Sequence, residues 1–124
     1  MKLNDAIKFD EKGLVCAVIQ DADTGQVLMV GYMNVEALTR TLRDKKAWFW
    51  SRSRQELWLK GETSGNFLHI DEMAIDCDGD ALLLKCKPDG PKCHTLETSC
   101  FYRGVEPDGT LTFPDGVDPQ PTDN

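Results

Sequence analysis

The chain has 124 residues, 40% of them hydrophobic, and a formal net charge of -7. This length suits one compact domain with a hydrophobic core and is too short for two. The acidic balance argues against nucleic-acid binding, which depends on a surplus of Lys and Arg. The charged N-terminal segment is unlike a signal peptide, and no run reaches the roughly 18 apolar residues that span a bilayer, so we expect a cytoplasmic protein without a membrane partner.

The charges are unevenly distributed along the chain. Seven of the fourteen basic residues fall between positions 40 and 60, whereas residues 104–124 contain five acids and no base. The basic region predicts a site for a small phosphorylated ligand. From Pro114 onward, prolines and polar residues predict a loose end of the chain. We therefore expect a single domain at residues 1–113 and an acidic tail at residues 114–124.

The first predicted elements are a hairpin and a helix. Residues 14–20 and 26–33 are β-rich apolar runs separated by turn formers, which predicts a hairpin in the core. Asn34 can cap a helix that ends near Lys45. The apolar face of this helix is predicted to consist of Val35, Leu38 and Leu42.

Strands dominate the rest of the chain. Strand-like runs cover residues 47–53, 57–60, 67–75 and 81–85, and a loop rich in glycine and hydroxyl groups covers residues 61–66. Pro107, Asp108 and Gly109 form a further predicted turn. The predicted fold class is α+β: a strand-dominated single domain with one main helix.

The five cysteines favour metal binding, because an odd number without a secretory signal argues against a disulfide framework. Cys77, Cys93 and Cys100 can bind zinc through three thiolates and leave a fourth position for water, which is typical of a catalytic zinc. Spacing alone leaves two alternatives open. Cys86 can replace Cys77, because Cys86, Cys93 and Cys100 are equally spaced, and all of them can be reduced, buried residues.

Three carboxylates, from Asp76, Asp78 and Asp80, lie in the segment DCDGD. In an extended segment they would face one way and the intervening thiol the other. Their oxygens suit magnesium, and three like charges are costly without a cation, so a magnesium site is favoured over a solvated acidic turn. An EF-hand is excluded, because the sixth and twelfth positions of the loop lack the required Gly and Glu.

Two histidines can transfer protons near neutral pH. His94 follows a candidate zinc ligand directly, which favours a catalytic role. His69 lies in a strand-like run and is interpreted as a polar residue with a satisfied hydrogen bond.

Several separate motifs resemble the phosphoribosyl-AMP cyclohydrolase family. These are VLMVGYMNVEAL, WSRSRQELWLKGETSGN, DCDGD and CHTLETSCFYR, in this order, and the resemblance runs from about Gly13 to Arg103. Two positions depart from the family pattern. Cys16 stands where proline is usual, and Leu96 replaces a glycine between two of the candidate zinc ligands.

The resemblance implies an activity and its metal ions. The reaction is hydrolysis of the N1–C6 bond of the adenine in 1-(5-phosphoribosyl)-AMP by zinc-activated water, the third step of histidine biosynthesis. One zinc ion per subunit is held by Cys77, Cys93 and Cys100, and magnesium by Asp76, Asp78 and Asp80. The family also implies an intertwined homodimer whose zinc ligands come from both subunits. We expect a monofunctional enzyme, without the pyrophosphohydrolase domain that many relatives carry.

The remaining site residues follow from the needs of this reaction. His94 is predicted to take a proton from the water and return it to N1. Cations bind the phosphates, a loop with hydroxyl and amide groups binds the ribose or a phosphate, and an aromatic ring stacks on the purine. The predicted substrate contacts are Trp50, Ser51, Arg52, Lys60, Thr63, Ser64 and Asn66.

Two rival functions use similar metal ligands. A zinc nucleobase deaminase requires H-x-E followed by P-C-x-x-C, and the chain has neither motif. A structural zinc module or redox-sensing thiol protein would use Cys86 as a fourth ligand or pair two thiols on oxidation, and the sequence leaves that alternative open.

Overall fold

The computed structural model describes residues 1–90 and 99–113. The elements in chain order are α1 (Leu3–Ala6), β1 (Val15–Asp21), β2 (Val27–Met33), α2 (Val35–Asp44), β3 (Trp48–Ser51), β4 (Glu56–Leu59), β5 (Leu68–Ile75), β6 (Ala81–Pro88), β7 (Gly104–Val105) and β8 (Leu111–Thr112). The predicted strand-dominated domain with one main helix is confirmed, and the short α1 is an addition. Cys93, His94, Leu96 and the predicted tail lie outside the described residues.

A four-stranded sheet with the order β2-β1-β6-β5 forms the centre of the fold. β1 pairs antiparallel with β2 and parallel with β6, and β5 pairs antiparallel with β6. The predicted hairpin of β1 and β2 is confirmed. Its turn is held by the Asp21 carboxylate, which accepts the backbone N–H groups of Asp23 and Thr24 at 2.8 and 3.0 Å.

The two faces of this sheet differ in burial, because successive strand residues point to opposite sides. One face is fully buried and forms the core; it includes Val15, Ala17, Ile19, Leu82, Leu84 and Cys86. The other face is half-buried or exposed and includes Cys16, Val18, Val30, Tyr32, Ala81 and Leu83. Apolar side chains on this second face thus keep contact with solvent.

Helix α2 begins at the predicted cap but turns a different face to the core. The Asn34 Oδ1 atom accepts the Ala37 N–H at 2.8 Å, as predicted. The buried residues are Ala37, Leu38 and Thr41, whereas Val35 and Leu42 are 62% and 50% exposed, so the predicted apolar face is wrong at two of three positions. The reason is Thr41, whose hydroxyl donates to the Ala37 carbonyl at 2.8 Å and accepts the Trp48 N–H at 3.0 Å.

The hairpin of β3 and β4 packs against β2 through one close contact. Phe49 of β3 is 1% exposed. A Cβ atom at Gly31 would lie 2.5 Å from the Phe49 ring, so only glycine lets the two strands approach this closely. This contact holds the turn after β3 beside β2.

The remaining segments lie around the sheet. Cys100 lies beside β2, and its N–H donates to the Leu28 carbonyl at 2.7 Å. The predicted turn before β8 is confirmed by the Gly109 N–H, which donates to the Glu106 carbonyl at 2.8 Å. Neither helix in residues 1–90 and 99–113 has the length and apolar character needed to cross a membrane.

Replacing Thr41 with valine keeps the side-chain shape and removes the acceptor of the Trp48 N–H. We expect the free energy of unfolding in urea to fall by about 1–3 kcal/mol, the cost of leaving a buried donor without a partner. Thr39→Val is the matched control, because Thr39 is on the exposed side of α2 and its hydroxyl donates to the Val35 carbonyl within the same helix, at 2.9 Å. Equal losses in the two variants would contradict the role assigned to Thr41.

Candidate functional site

The three predicted magnesium ligands lie together in the turn between β5 and β6. Asp76, Asp78 and Asp80 each offer one oxygen atom, and these atoms lie within 4.8 Å of one another. They are the one such group of three or more potential ligand side chains in the described part of the chain. Clustered hard oxygen donors that face solvent fit a magnesium ion.

A tight turn brings these carboxylates together, so the predicted extended segment is wrong. The Gly79 N–H donates to the Asp76 carbonyl at 3.2 Å, and Gly79 has a φ of 78°, which favours glycine. The Asp76 Oδ1 atom accepts the N–H groups of Asp80 and Ala81 at 3.0 and 3.2 Å. The side chain of Asp76 thus closes the turn that carries the other two carboxylates.

The crowding of these groups is visible in their pKa values. Desolvation acts to raise the pKa of Asp76, but hydrogen bonds from the Asp80 side chain and the Ala81 N–H outweigh it, and the pKa lies below its ordinary value. Hydrogen bonding to the Asp76 and Asp78 side chains raises the pKa of Asp80. The negative charges of Asp78 and Asp76 raise it as well, and a bound cation would relieve this repulsion between the carboxylates.

The described cysteines occupy different environments. Cys77 lies in the same turn and is exposed, and Cys100 is exposed beside β2. Cys86 is fully buried in the core, and burial, followed by the charge of Asp21, raises the pKa of its thiol to about 12. Because zinc binds thiolates, this environment argues against Cys86 as a ligand. Cys93 lies outside the described residues.

Cys77 and Cys100 lie towards opposite ends of the sheet. Cys77 precedes β6, whose first residue pairs with Cys16 near the start of β1. Cys100 is bonded to Leu28, whose neighbour in β2 pairs with Ile19 near the end of β1. Strands rise about 3.3 Å per residue and lie about 4.8 Å apart, so these spacings place the Cα atoms of the two cysteines roughly 15 Å apart.

Two open clefts, each of about 550 Å³, meet beside β2. The first, here called the carboxylate cleft, is lined by Lys8, Phe9, Asp10, Leu14, Cys16, Tyr32, Asp78 and Asp80. The second, here called the tryptophan cleft, is lined by Lys12, Val30, Gly31, Tyr32, Phe49, Trp50, Ser51, Arg52, Ser53 and Trp58. Tyr32 belongs to both walls, so the two clefts are neighbours.

The structure brings four of the seven predicted substrate contacts together. Trp50, Ser51 and Arg52 line the tryptophan cleft, and the Lys60 Nζ atom lies 5.3 Å from the ring centroid of Trp58, which lines it too. The other three do not line either cleft; they lie in or beside the loop after β4, and they are Thr63, Ser64 and Asn66. Asn66 instead lies beside Gly90.

Arg52 has a different kind of partner from the other arginines near it in the sequence. Arg40, Arg43 and Arg54 each pair with a carboxylate, at 2.8, 2.7 and 3.6 Å. Within residues 1–90 and 99–113, no such ion pair is formed by Arg52, whose guanidinium carbon lies 4.0 Å from the ring centroid of Tyr32. Among the described residues, the positive charge of Arg52 at the tryptophan cleft thus has no carboxylate partner.

Of the aromatic residues that line the clefts, only Trp50 was predicted from the sequence; Phe9, Tyr32, Phe49 and Trp58 were not. Tyr32 was part of a run interpreted as core, and Trp58 part of a strand without an assigned role. The signal for Tyr32 was available, because β2 alternates Met29 and Met33, which are buried, with Val30 and Tyr32, which are not. His69 agrees with its interpretation, since its Nε2 atom lies 2.9 Å from both carboxylate oxygens of Asp89.

Replacing Gly79 with alanine should disturb the aspartate turn, because a Cβ atom there would collide with the Ala6 carbonyl oxygen. Gly13→Ala is the matched control, with a φ of 77° against 78° and open space around the new carbon. We expect Gly79→Ala to lose about 1–3 kcal/mol more of unfolding free energy than the control. Equal losses in urea denaturation would show that the Ala6 contact is without consequence.

Comparisons with known proteins identify the family. The family model "Phosphoribosyl-AMP cyclohydrolase" matches residues 29–102. Proteins with this name from Chloroherpeton thalassium and Sphingopyxis alaskensis are 56% and 59% identical, over 89% and 86% of this chain and 79% and 84% of their own. One from Prosthecochloris aestuarii is 50% identical over 96% of this chain and 87% of its own. The matched residues include the aspartate turn and the hairpin of β3 and β4, and the chain belongs to the phosphoribosyl-AMP cyclohydrolase family.

Proposed function

We propose that this chain hydrolyses the N1–C6 bond of the adenine in 1-(5-phosphoribosyl)-AMP, giving the formimino imidazole carboxamide ribotide of histidine biosynthesis. Family membership supports the reaction. In the structure of this chain, the observation that best supports the reaction is the pair of neighbouring clefts that share Tyr32. One cleft offers tryptophan rings and Arg52, which pairs with no carboxylate in the described part of the chain, and the other offers clustered carboxylates. A purine that carries phosphates needs an aromatic surface and cations of this kind.

The metal sites follow from the donor chemistry of the residues. Asp76, Asp78 and Asp80 would hold magnesium, because their oxygens are hard, clustered and open to solvent. Zinc would be held by the thiolates of Cys77, Cys93 and Cys100, two of which are exposed and accessible. When bound, zinc supplies a Lewis acid that makes a water molecule acidic enough to serve as a nucleophile. The burial of Cys86 weighs against the rival closed site with four thiolates.

A homodimer would complete the zinc site. Two sulfur atoms bound to one zinc ion at about 2.3 Å lie less than about 5 Å apart, whereas Cys77 and Cys100 of one chain are separated by much of the sheet. Ligands from two subunits remove this conflict. The half-buried face of the sheet, with Val18, Val30 and Leu83, offers apolar surface for a second copy.

The protein side chains would bind and orient the substrate and move a proton. Arg52 and Lys60 bind phosphate oxygens through charged hydrogen bonds. Trp50 and Trp58, which face the same cleft, provide ring surfaces for the purine. His94, outside the described residues, would take a proton from the attacking water and return it to N1 as the C–N bond breaks.

The direct test supplies phosphoribosyl-AMP to zinc-loaded protein, with and without magnesium, and follows the change in purine absorbance. We expect turnover by the zinc-loaded protein that increases when magnesium is added, because the carboxylate cleft alone repels a phosphate. An absence of turnover under all metal conditions would overturn the proposed function.

Two histidine variants test the proton transfer in the same assay. His94→Ala should lower kcat by about 10²–10⁴-fold, the usual contribution of a general acid and base, with unchanged zinc content. His69→Ala is the matched control, because His69 pairs with Asp89 and lines neither cleft. A fully active His94→Ala protein would refute the role of His94.

Subunit mixing tests the shared zinc site. Cys77→Ser and Cys100→Ser should each be inactive alone, because each lacks one thiolate at every site. After the two are unfolded and refolded together, each heterodimer has one site with both cysteines and one with neither, so about a quarter of all sites should be active in a randomly mixed sample. Zinc content should recover in parallel. No recovery would show that both cysteines of a site come from one chain.

A further inference from the structure

Tyr32 stands at the boundary between the two clefts. It lies on β2 opposite Cys16 of β1, on the half-buried face of the sheet. Its side chain lines the carboxylate cleft and the tryptophan cleft. The guanidinium of Arg52 lies over its ring, with 4.0 Å from Cζ to the ring centroid. Tyr32 is therefore in contact with the cation of one cleft and borders the carboxylates of the other.

The stacked arrangement suits an arginine that must bind an anion. A guanidinium over an aromatic face is attracted to the ring and keeps the N–H donors around its edge for other partners. A carboxylate partner would occupy these donors and cancel the charge. Arg54, two residues further along the same hairpin, shows the contrast, because its Nε atom lies 3.6 Å from a Glu56 oxygen and 3.4 Å from the Ser51 hydroxyl.

The position of Arg52 depends on such a contact. Arg52 is exposed and follows the last residue of β3, so few neighbours restrict its long side chain. Ordering such a side chain costs conformational entropy when a ligand binds. A contact that orients the guanidinium before binding lowers this cost. The ring of Tyr32 makes such a contact with the Arg52 guanidinium, at 4.0 Å from Cζ to the ring centroid.

We propose that Tyr32 is a positioning residue: its ring holds the Arg52 guanidinium at the junction of the two clefts so that Arg52 can bind a phosphate group of the nucleotide substrate. The substrate's identity rests on the proposed function, whereas the contact between Tyr32 and Arg52 does not. In this role Tyr32 acts through Arg52 and takes no part in the chemical step. Its loss should therefore weaken nucleotide binding and leave the chemical step unchanged.

The experiment compares side chains at position 32 with and without an aromatic face. Tyr32→Phe keeps the ring and removes the hydroxyl, and Tyr32→Leu removes the ring. We expect Tyr32→Leu to raise the KM for phosphoribosyl-AMP and the Kd for AMP by about two- to fivefold, the range for an exposed cation–π contact, with kcat unchanged. Tyr32→Phe should behave like the wild-type protein. Calorimetric titration gives the Kd for AMP, and thermal unfolding reports on the fold.

A double-variant cycle separates positioning from a general structural effect. If Tyr32 acts through Arg52, the protein with both Arg52→Gln and Tyr32→Leu should bind AMP no more weakly than Arg52→Gln alone. Arg54→Gln with Tyr32→Leu is the matched control, in which the full effect of Tyr32→Leu should remain. Should Tyr32→Leu fail to fold, a ring-fluorinated phenylalanine at position 32 keeps the shape and weakens the attraction of the ring for the cation.

The outcomes separate this proposal from the proposed function. If the wild-type protein has no turnover, the proposed function fails, and the Kd values for AMP still decide the role of Tyr32. Three results would overturn that role: AMP that fails to bind the wild-type protein or binds all variants equally, a Tyr32→Phe protein as weak as Tyr32→Leu, or effects of Tyr32→Leu and Arg52→Gln that multiply.

Discussion

The parallel pairing of β1 with β6 determines where the groups of the site lie. Parallel neighbours begin at the same edge of a sheet, so the turn that precedes β6 lies beside the start of β1. β2 runs antiparallel to β1 and therefore ends at that same edge. The aspartate turn and Tyr32, which are far apart in the chain, consequently border one cleft. An antiparallel β6 would have placed the three carboxylates at the opposite end of the sheet.

The close approach of Gly31 to Phe49 adds the second half of the site. It lets β3 pack against β2, so that Arg52, just after β3, reaches the ring of Tyr32. Cys16 lies between the two charged groups, and its pKa reports on both. Desolvation raises the pKa of this thiol, the charge of Asp80 raises it further, and the charge of Arg52 lowers it. The site therefore has a negative and a positive side, separated by roughly the width of two strands.

The sequence predicted the elements well and their contacts less well. The hairpin of β1 and β2, the Asn34 cap and the turn before β8 were predicted because turn formers and caps act locally. The face of α2 was predicted wrongly, because the burial of Thr41 depends on a hydrogen bond to Trp48, and hydrophobic periodicity contains no such information. The grouping of Asp76, Asp78 and Asp80 was predicted correctly but for the wrong reason. Strand alternation was assumed, whereas the segment is a turn closed by the Asp76 side chain. Strand alternation in β2 could have placed Tyr32 outside the core, but its position between the two clefts depends on the packing of β3 against β2, which periodicity does not contain.

Strand parity also distinguishes the thiols that sequence spacing could not. Cys86 is on the same face of β6 as Leu82 and Leu84 and therefore points into the core, where burial keeps its thiol protonated. Cys77 lies in the turn before the same strand and faces solvent. The turn that exposes this thiol is the one that gathers the carboxylates, so soft and hard metal donors occur within five residues. In the proposed function, Asp78 and Asp80 would repel the phosphates of a nucleotide, and a cation bound to the aspartates would remove this repulsion on the side of the site opposite Arg52.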